Sequence, residues 1–296
     1  KDNIQKIDKD CFILQVLKRL FKNKLALAGG IVVLLFLIVG CLAPVIAPHD
    51  PLEVNVSIRL QGPSQEYWLG TDHLGRCISR LLYGAQTTLL NSLVVLAGIL
   101  LIGIPLGLIS GFCGGWIDNL IMRFADIVST FPSSLLALAV VSVFGAGLQN
   151  VMIVLVALWW APFARILRSQ VLKIKEKDFV MAAKASGTSK FKIVINHVLL
   201  NSISPIIVYS TLRVAAVIMH IASFSFIGLG TQPPAADWGV MLSDSKQFIS
   251  TAPLMMIWPG LSIMLVVFSL NMFGEGLNEA LMPGGNKKAK QLGDGE

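Results

Sequence analysis

Six long apolar stretches limit what this chain can fold into more narrowly than any other feature of the sequence. They lie near residues 25–46, 88–111, 124–144, 148–167, 203–227 and 254–276. Each approaches the roughly 20 residues that a helix needs to cross a hydrocarbon layer about 30 Å thick. Because backbone polar groups inside lipid must be satisfied within the chain, such stretches form helices. We therefore expect an all-α membrane protein with about six transmembrane helices.

The composition agrees with a membrane protein. Of the 296 residues, 54% are hydrophobic and 14% are charged, whereas a soluble domain carries about 25% charged residues. The formal net charge of +7 does not indicate nucleic acid, because Lys and Arg lie in short segments between the apolar runs and form no single basic face. The four cysteines form neither a CxxC pair nor a visible disulfide framework, so we expect no metal site built on cysteine.

The first apolar run follows a polar start and is long for the core of a signal peptide. It also lacks a small-residue cleavage site, so we expect it to remain as a span. Before it, apolar residues from Ile13 to Phe21 recur at helical spacing, with Lys18 and Arg19 between them and Lys22 directly after them. This pattern predicts an amphipathic helix on an anionic lipid surface. The alternative is a simple extension of the first span.

Most of the 24 Lys and Arg residues fall on one side of the membrane if the N-terminus is cytoplasmic. Basic residues favour cytoplasmic segments, so both termini are expected there. The resulting segments are a cytoplasmic start 1–24, a transmembrane region 25–283 that contains outer segments 48–86 and 228–253 and a cytoplasmic loop 168–202, and a cytoplasmic tail 284–296.

Two local features bear on helix packing. Gly103, Gly107 and Gly111 repeat every four residues in the second span, and this ridge of small residues predicts close contact with another helix. Arg123 and Asp126 are three residues apart, so we expect a local ion pair that reduces the cost of burying either charge. The alternative is a functional site at these two residues.

The loop 168–202 contains the most informative stretch, residues 178–200, which we call the knob. Its first part predicts a short helix that ends at a glycine, and its second part predicts an amphipathic helix. The small side chains of Ala182, Ala183 and Ala185 permit another protein to approach closely, and Gly187 supplies a turn or cap. We expect the knob to dock into a groove of a partner.

The spacing of residues in the knob resembles the EAA loop of ABC importer permeases, which contains the coupling helix that contacts the ATPase subunit. The matching residues are Ala182, Ala183, Gly187, Ile193, His197 and Asn201. Further stretches are similar, in the same order, to the C permeases of dipeptide, oligopeptide and nickel importers: Leu69–Arg76, Ser79–Gly84, Met122–Asp126, Phe131–Pro132, Ser225–Gly230, Gln232–Pro234, Asp237–Gly239 and Phe273–Leu281. The likeness covers most of residues 15–283.

The resemblance implies the type I permease fold of an ABC importer in a bacterial cell membrane. It implies a heterodimer with a homologous permease, two cytoplasmic ATPase subunits that bind ATP and magnesium, and an extracytoplasmic solute-binding protein. No cofactor or metal is expected on this chain itself. The implied substrates are peptides, nickel or metal chelates. The implied ATPase-coupling residues are Met181, Ala182, Ala183, Ala185, Ser186, Gly187 and His197.

The sequence departs from the family pattern at two positions. Met181 stands where the motif usually has Glu, which removes a charge from the coupling helix. Cys77 stands where the family often has Asp. We expect an exposed but inert thiol at Cys77, because no partner group is evident in the sequence.

Three polar residues of the fifth span, Tyr209, Arg213 and His220, fall within about 40° of one another at 100° per residue. An arginine inside a span must face water, a partner or the bundle interior. Its planar guanidinium matches carboxylates, and His adds a pH-sensitive or metal-seeking contact. We expect these residues to line a translocation path. The alternative is that Arg213 pairs with an acid of the partner permease and fixes packing.

Two other classes of function are less well supported. The sequence contains no HExxH zinc pair and no GxSxG nucleophile turn, which argues against an intramembrane enzyme, and no GxxxxGK[ST] loop, so the chain is not expected to hydrolyse ATP. A non-transporting scaffold or receptor could use segment 48–86 as a ligand site. Such a protein has no need of the glycine-broken knob.

Overall fold

A computed structural model describes residues 15–281 of the chain. Over this range the chain is almost entirely helical, and its one strand-like pairing is an isolated bridge between Thr71 and Cys77. The main helices are α1 (Lys24–Ile46), α2 (Leu81–Cys113), α3 (Gly115–Thr130), α4 (Ser133–Phe144), α5 (Leu148–Lys175), α6 (Asp178–Ala185), α7 (Lys190–Ile193), α8 (Leu200–Phe226), α9 (Trp238–Ser245) and α10 (Leu254–Leu281). The all-α prediction is confirmed.

The predicted amphipathic helix is described in part. Residues 15–22 are helical, and Asn23 interrupts the helix because its side chain accepts hydrogen bonds from the first N–H groups of α1. This break separates the segment from α1 and argues against a simple extension of the first span. Cys11, Ile13 and the predicted tail 284–296 lie outside the described residues.

Five helices are long and apolar enough to cross a membrane, namely α1, α2, α5, α8 with the turns before it, and α10. The bent pair α3 and α4 makes a sixth, so the expected number of spans is confirmed. The predicted run 124–144 is bent, because α3 and α4 meet at 79°. Pro132 has no N–H and forces Phe131 into an extended conformation (φ −82°, ψ 121°), which ends α3.

The glycine ridge of α2 packs directly on α5, as predicted. A methyl group at Gly103 would lie 2.9 Å from Cβ of Phe163, and one at Gly107 would lie 2.7 Å from the carbonyl oxygen of Ala164. One at Gly111 would lie 2.7 Å from a side-chain carbon on the next turns of α5. The ridge therefore brings the two backbones together over three turns.

Ion pairs join α3 to α5. Arg168 holds Asp118 through two hydrogen bonds of 2.5 Å. The expected pair between Arg123 and Asp126 is wrong, because Asp126 accepts a 2.9 Å hydrogen bond from Arg165. Sequence spacing favours the neighbour three residues away, whereas helix packing brings a cation from 39 residues away to the same carboxylate.

A buried ionic network ties the segment before α2 to the segment around α9. Arg76 pairs with Asp72 at 2.6 Å and with Asp244 at 3.0 Å. Arg80 donates to the carbonyl oxygens of Pro234 and Ala235 at 3.1 and 2.9 Å. Distant parts of the chain thereby form one compact end of the bundle.

Residues close to this network are also buried. Cys77 is 3% exposed, and its sulfur accepts a hydrogen bond from Ser79, so the expectation of an exposed thiol is wrong. Asp237 caps α9 by accepting from the N–H groups of Gly239 and Val240. Burial raises the pKa of the Asp237 carboxyl, and these two hydrogen bonds oppose the shift.

Candidate functional site

The knob is anchored to the bundle by three buried side chains. Val180 on α6, Ile193 on α7 and Val198 in the following π-helical turn are at most 1% exposed and belong to the core shared with α2 and α5. Lys175, at the end of α5, donates a 3.0 Å hydrogen bond to the carbonyl oxygen of Gly111 at the end of α2. The knob is therefore in packing contact with both of these long helices.

Gly187 ends α6 in the way that the sequence predicts. Its φ is +75°, in the left-handed region, and the backbone N–H groups of Gly187 and Thr188 donate to the carbonyl oxygens of Lys184 and Ala183. These two bonds form a Schellman motif, which closes the last turn of a helix and reverses the chain. A methyl group at Gly187 would contact nothing within 4 Å, so the backbone conformation alone favours glycine.

The knob presents most of its predicted coupling residues to the exterior. Met181, Ala182, Ala185, Ser186 and Gly187 are exposed, and Ala183 is half-buried. Ser186 donates its hydroxyl to the carbonyl oxygen of Ala182 at 2.8 Å. Most of the surface of α6 is therefore open to a partner.

Two aromatic residues of the knob were missed in the sequence analysis. Phe179 is 41% exposed and Phe191 is 78% exposed, and Met181, at 53%, lies on the same part of the chain. Large apolar side chains in a basic, polar loop were the signal that could have identified them. Exposed apolar side chains rimmed by polar residues are typical of a protein–protein contact.

His197 lies behind this surface. It is half-buried, with its ring centroid 6.4 Å from that of Phe179, and its backbone carbonyl accepts a 2.5 Å hydrogen bond from Asn201. His197 and Asn201, two of the motif residues, therefore stabilise the turn between the knob and α8. His197 presents little surface of its own.

The three predicted path residues lie together on one face of α8 against α5. Arg213 donates from Nε to the hydroxyl of Tyr209 at 2.8 Å, and its Cζ lies 5.2 Å from the ring centroid of Trp159. The ring of His220 meets the same Trp159 edge-on at 4.6 Å, and its Nδ1 lies 2.9 Å from the carbonyl oxygen of Ala216. Trp159 joins this cluster across the helix interface, which the sequence pattern of α8 did not reveal.

Arg213 is half-buried, and no carboxylate within residues 15–281 pairs with it. Its charge is instead stabilised by the hydroxyl of Tyr209 and by the faces of two aromatic rings. The guanidinium retains N–H groups able to hold an anionic group. The arrangement suits either a passing carboxylate or an acid of another subunit.

Comparisons with known protein families match two parts of the sequence. Residues 103–284 match the family described as binding-protein-dependent transport system inner membrane component. Residues 12–63 match the N-terminal transmembrane domain of oligopeptide transport permease C.

Several curated proteins are similar over most of the chain. The dipeptide transport system permease protein DppC of Alkalihalophilus pseudofirmus is 46% identical, covering 91% of this chain and 89% of that protein. The nickel transport system permease protein NikC of Escherichia coli K12 is 39% identical, covering 80% of this chain and 86% of that protein. The glutathione transport system permease protein GsiD of Pectobacterium atrosepticum is 39% identical, covering 90% of this chain and 89% of that protein.

Among solved structures, an inward-facing form of the MetNI methionine ABC transporter contains a similar chain. It has a TM-score of 0.55 and 18% identity, covering 69% of this chain and 97% of that one. At this identity the match concerns the fold, which agrees with the type I permease architecture expected from the sequence.

Proposed function

Since the chain belongs to the family of binding-protein-dependent transport system inner membrane components and is a permease subunit of an ABC importer, we propose that it carries short peptides and receives its driving force through the knob. The main support for this proposal is the exposed apolar surface of Phe179, Met181 and Phe191. These residues lie on α6 and α7, which are joined by the turn at Gly187. This surface offers an ATPase subunit an apolar contact, and the buried anchors behind it connect that contact to α2 and α5.

The proposed assembly has four subunits of three kinds around this chain. A homologous permease completes the membrane core, two ATPase subunits bind ATP and magnesium beneath it, and a solute-binding protein delivers the substrate from outside. Both termini and the knob face the cytoplasm in this arrangement, and segments 48–86 and 228–253 face outward. The uneven distribution of Lys and Arg supports this orientation.

Short peptides are the proposed substrate because relatives named for dipeptide and glutathione transport are similar to this chain over about nine tenths of its length. The relative named for nickel transport supports nickel or a metal chelate as a second candidate. The ligand retained by the co-purifying solute-binding protein distinguishes them. A bound peptide supports the first proposal, and nickel or a chelate overturns it.

Within the membrane, we propose that the substrate passes Tyr209, Arg213 and His220. Three polar side chains on one face of a spanning helix support this role, as does the absence of a carboxylate partner for Arg213 within the described residues.

Coupling is tested by changing the backbone of the knob without changing its contacts. A β-branched residue is disfavoured at φ +75°, by about 1–2 kcal/mol, whereas Asn tolerates this conformation. In complexes reconstituted with their ATPases and binding protein, Gly187→Val should insert and assemble but lose stimulated ATP turnover and uptake. Gly187→Asn should keep both. Normal transport and normal ATP coupling in Gly187→Val would show that the knob does not transmit ATPase motion.

A further inference from the structure

A polar stripe runs along an exposed face of α3. It consists of the exposed residues Asn119, Arg123, Asp126 and Thr130. At 100° per residue these four positions fall within about 60° of the helix circumference. The adjoining exposed surface of the same helix is apolar and carries Trp116, Leu120 and Ile127. One helix therefore shows two different exposed surfaces side by side.

The stripe runs into the membrane region and not along its boundary. Asp118, near the start of α3, contacts Arg168, and Phe124 stacks on Trp160 at a ring-centroid distance of 5.9 Å. Contacts that advance along α3 thus move backward along α5, so the two helices run antiparallel, and α5 is a spanning helix. From Asn119 to Thr130 the stripe extends about 16 Å, roughly half of the hydrocarbon thickness.

Counted together with Arg165 of α5, the stripe carries one excess positive charge. Asp126 is paired with Arg165, which also donates 3.0 Å hydrogen bonds to the carbonyl oxygen of Ala125 and the hydroxyl of Ser129. Arg123 forms no ion pair with any of residues 15–281. The exposed Arg123 therefore keeps an uncompensated charge, whereas the charge of the half-buried Arg165 is compensated by Asp126.

Lipid is an unsuitable neighbour for this surface. Charged side chains within spans face a bundle interior or a water-filled cavity, and Asn119 and Thr130 are too short to reach the headgroups by extending along the helix. We propose that the polar stripe lines an aqueous passage through the assembled transporter, where Arg123 meets anionic groups of the passing solute. This inference rests on the proposed function. It assigns a second set of residues to the lining of the passage, separate from the Arg213 cluster.

The two polar surfaces border α5 from different sides. Trp159, which touches Arg213, and Arg165, which touches Asp126, are six residues apart, so they point about 120° from each other. The Arg213 cluster is half-buried between helices of this chain, whereas the stripe is open. Exposure of the stripe on one subunit fits a passage that is completed by another subunit.

Water access tests the stripe in the complete complex. In a background with the native cysteines replaced, Thr130→Cys should react with a charged, membrane-impermeant thiosulfonate in at least one of two conditions, with ATP or without it. Ile127→Cys, one turn away on the apolar surface, is the matched control and should react at least tenfold more slowly. Equal rates at the two positions, or no reaction at Thr130→Cys in either condition, would overturn the proposal.

The second measurement is the uptake of an anionic peptide by variants that change the charge at Arg123. Arg123→Gln should lower uptake of an anionic peptide roughly tenfold, the loss expected for one hydrogen-bonded charge contact, and Arg123→Lys should retain most of it. Unchanged uptake in Arg123→Gln would remove the solute contact. The labelling pattern does not depend on which solute is carried, so it separates failure of the stripe from failure of the proposed substrate.

Discussion

Arg213 is held by aromatic rings and a hydroxyl instead of a carboxylate, and this decides how it can act. Tyr209 fixes the guanidinium at 2.8 Å, and Trp159 covers one of its faces at 5.2 Å. An arginine paired with an acid has its charge compensated, whereas this one keeps an electrostatic attraction for anions. The half-buried position strengthens that attraction, because the surroundings are less polar than water.

The role of Arg213 follows from comparing two substitutions. If it binds the solute, Arg213→Lys and Arg213→Gln should both assemble, with uptake reduced roughly tenfold in Arg213→Gln and with altered substrate preference in Arg213→Lys. Assembly is measured by co-purification of the subunits, and uptake by accumulation of labelled peptide in proteoliposomes. Variants that fail to assemble would indicate a packing role instead. Normal uptake in Arg213→Gln would exclude Arg213 from the passage.

Residue-level prediction succeeded where the relevant neighbours lie within one helix. The common face of Tyr209, Arg213 and His220 follows from helical periodicity alone. Trp159 and Arg165 were not predicted as their partners, because contacts between helices depend on packing that a single sequence does not show. The same reason explains the mistaken pair of Arg123 with Asp126.

At the scale of elements, the contact between α2 and α5 depends on the absence of side chains at three positions. Gly→Ala inside an exposed helix stabilises it by up to about 1 kcal/mol, since alanine has the higher helix propensity. At Gly107 the added methyl would lie 2.7 Å from a backbone carbonyl oxygen, which cannot move without shifting α5. Crowding of this kind costs about 1–3 kcal/mol and exceeds the gain in propensity.

A matched pair of glycines tests this balance. Gly107→Ala should lower the thermal unfolding temperature of the detergent-solubilised complex. Gly260→Ala on α10, whose methyl would meet only a Leu242 carbon at 3.8 Å, should leave it unchanged or raise it. The opposite order would show that the glycine ridge does not set the separation of α2 and α5.

Element boundaries were predictable wherever apolar periodicity was continuous. α5 and α10 begin where the predicted runs at 148 and 254 begin, whereas α2 starts at Leu81, seven residues before the apolar run. Polar residues such as Gln86 and Thr87 continue that helix, so hydropathy alone misplaces its start. The bend between α3 and α4 had a visible signal in Phe131–Pro132, but the continuous apolar run around it outweighed that signal.

At the scale of the whole molecule, the two ends of the bundle differ in charge and in construction. One end is closed by the buried network of Arg76, Asp72 and Asp244, which fixes the segment before α2 against α9. The other carries the knob, whose Lys residues are exposed and whose aromatic residues are open. An open basic end suits the side of the membrane where positive residues accumulate.

The orientation of the chain in the membrane can be tested at two exposed serines. Ser64 lies in the segment before α2, and Ser189 lies in the knob between α6 and α7. The uneven distribution of basic residues predicts that a membrane-impermeant thiol reagent labels Ser64→Cys in intact cells and Ser189→Cys only after permeabilisation. The background must lack the native thiols, because Cys41 and Cys113 are exposed. Labelling of Ser189→Cys in intact cells, with Ser64→Cys protected, would reverse the topology and move the knob to the side opposite the ATPases, which would also remove the basis for coupling through it.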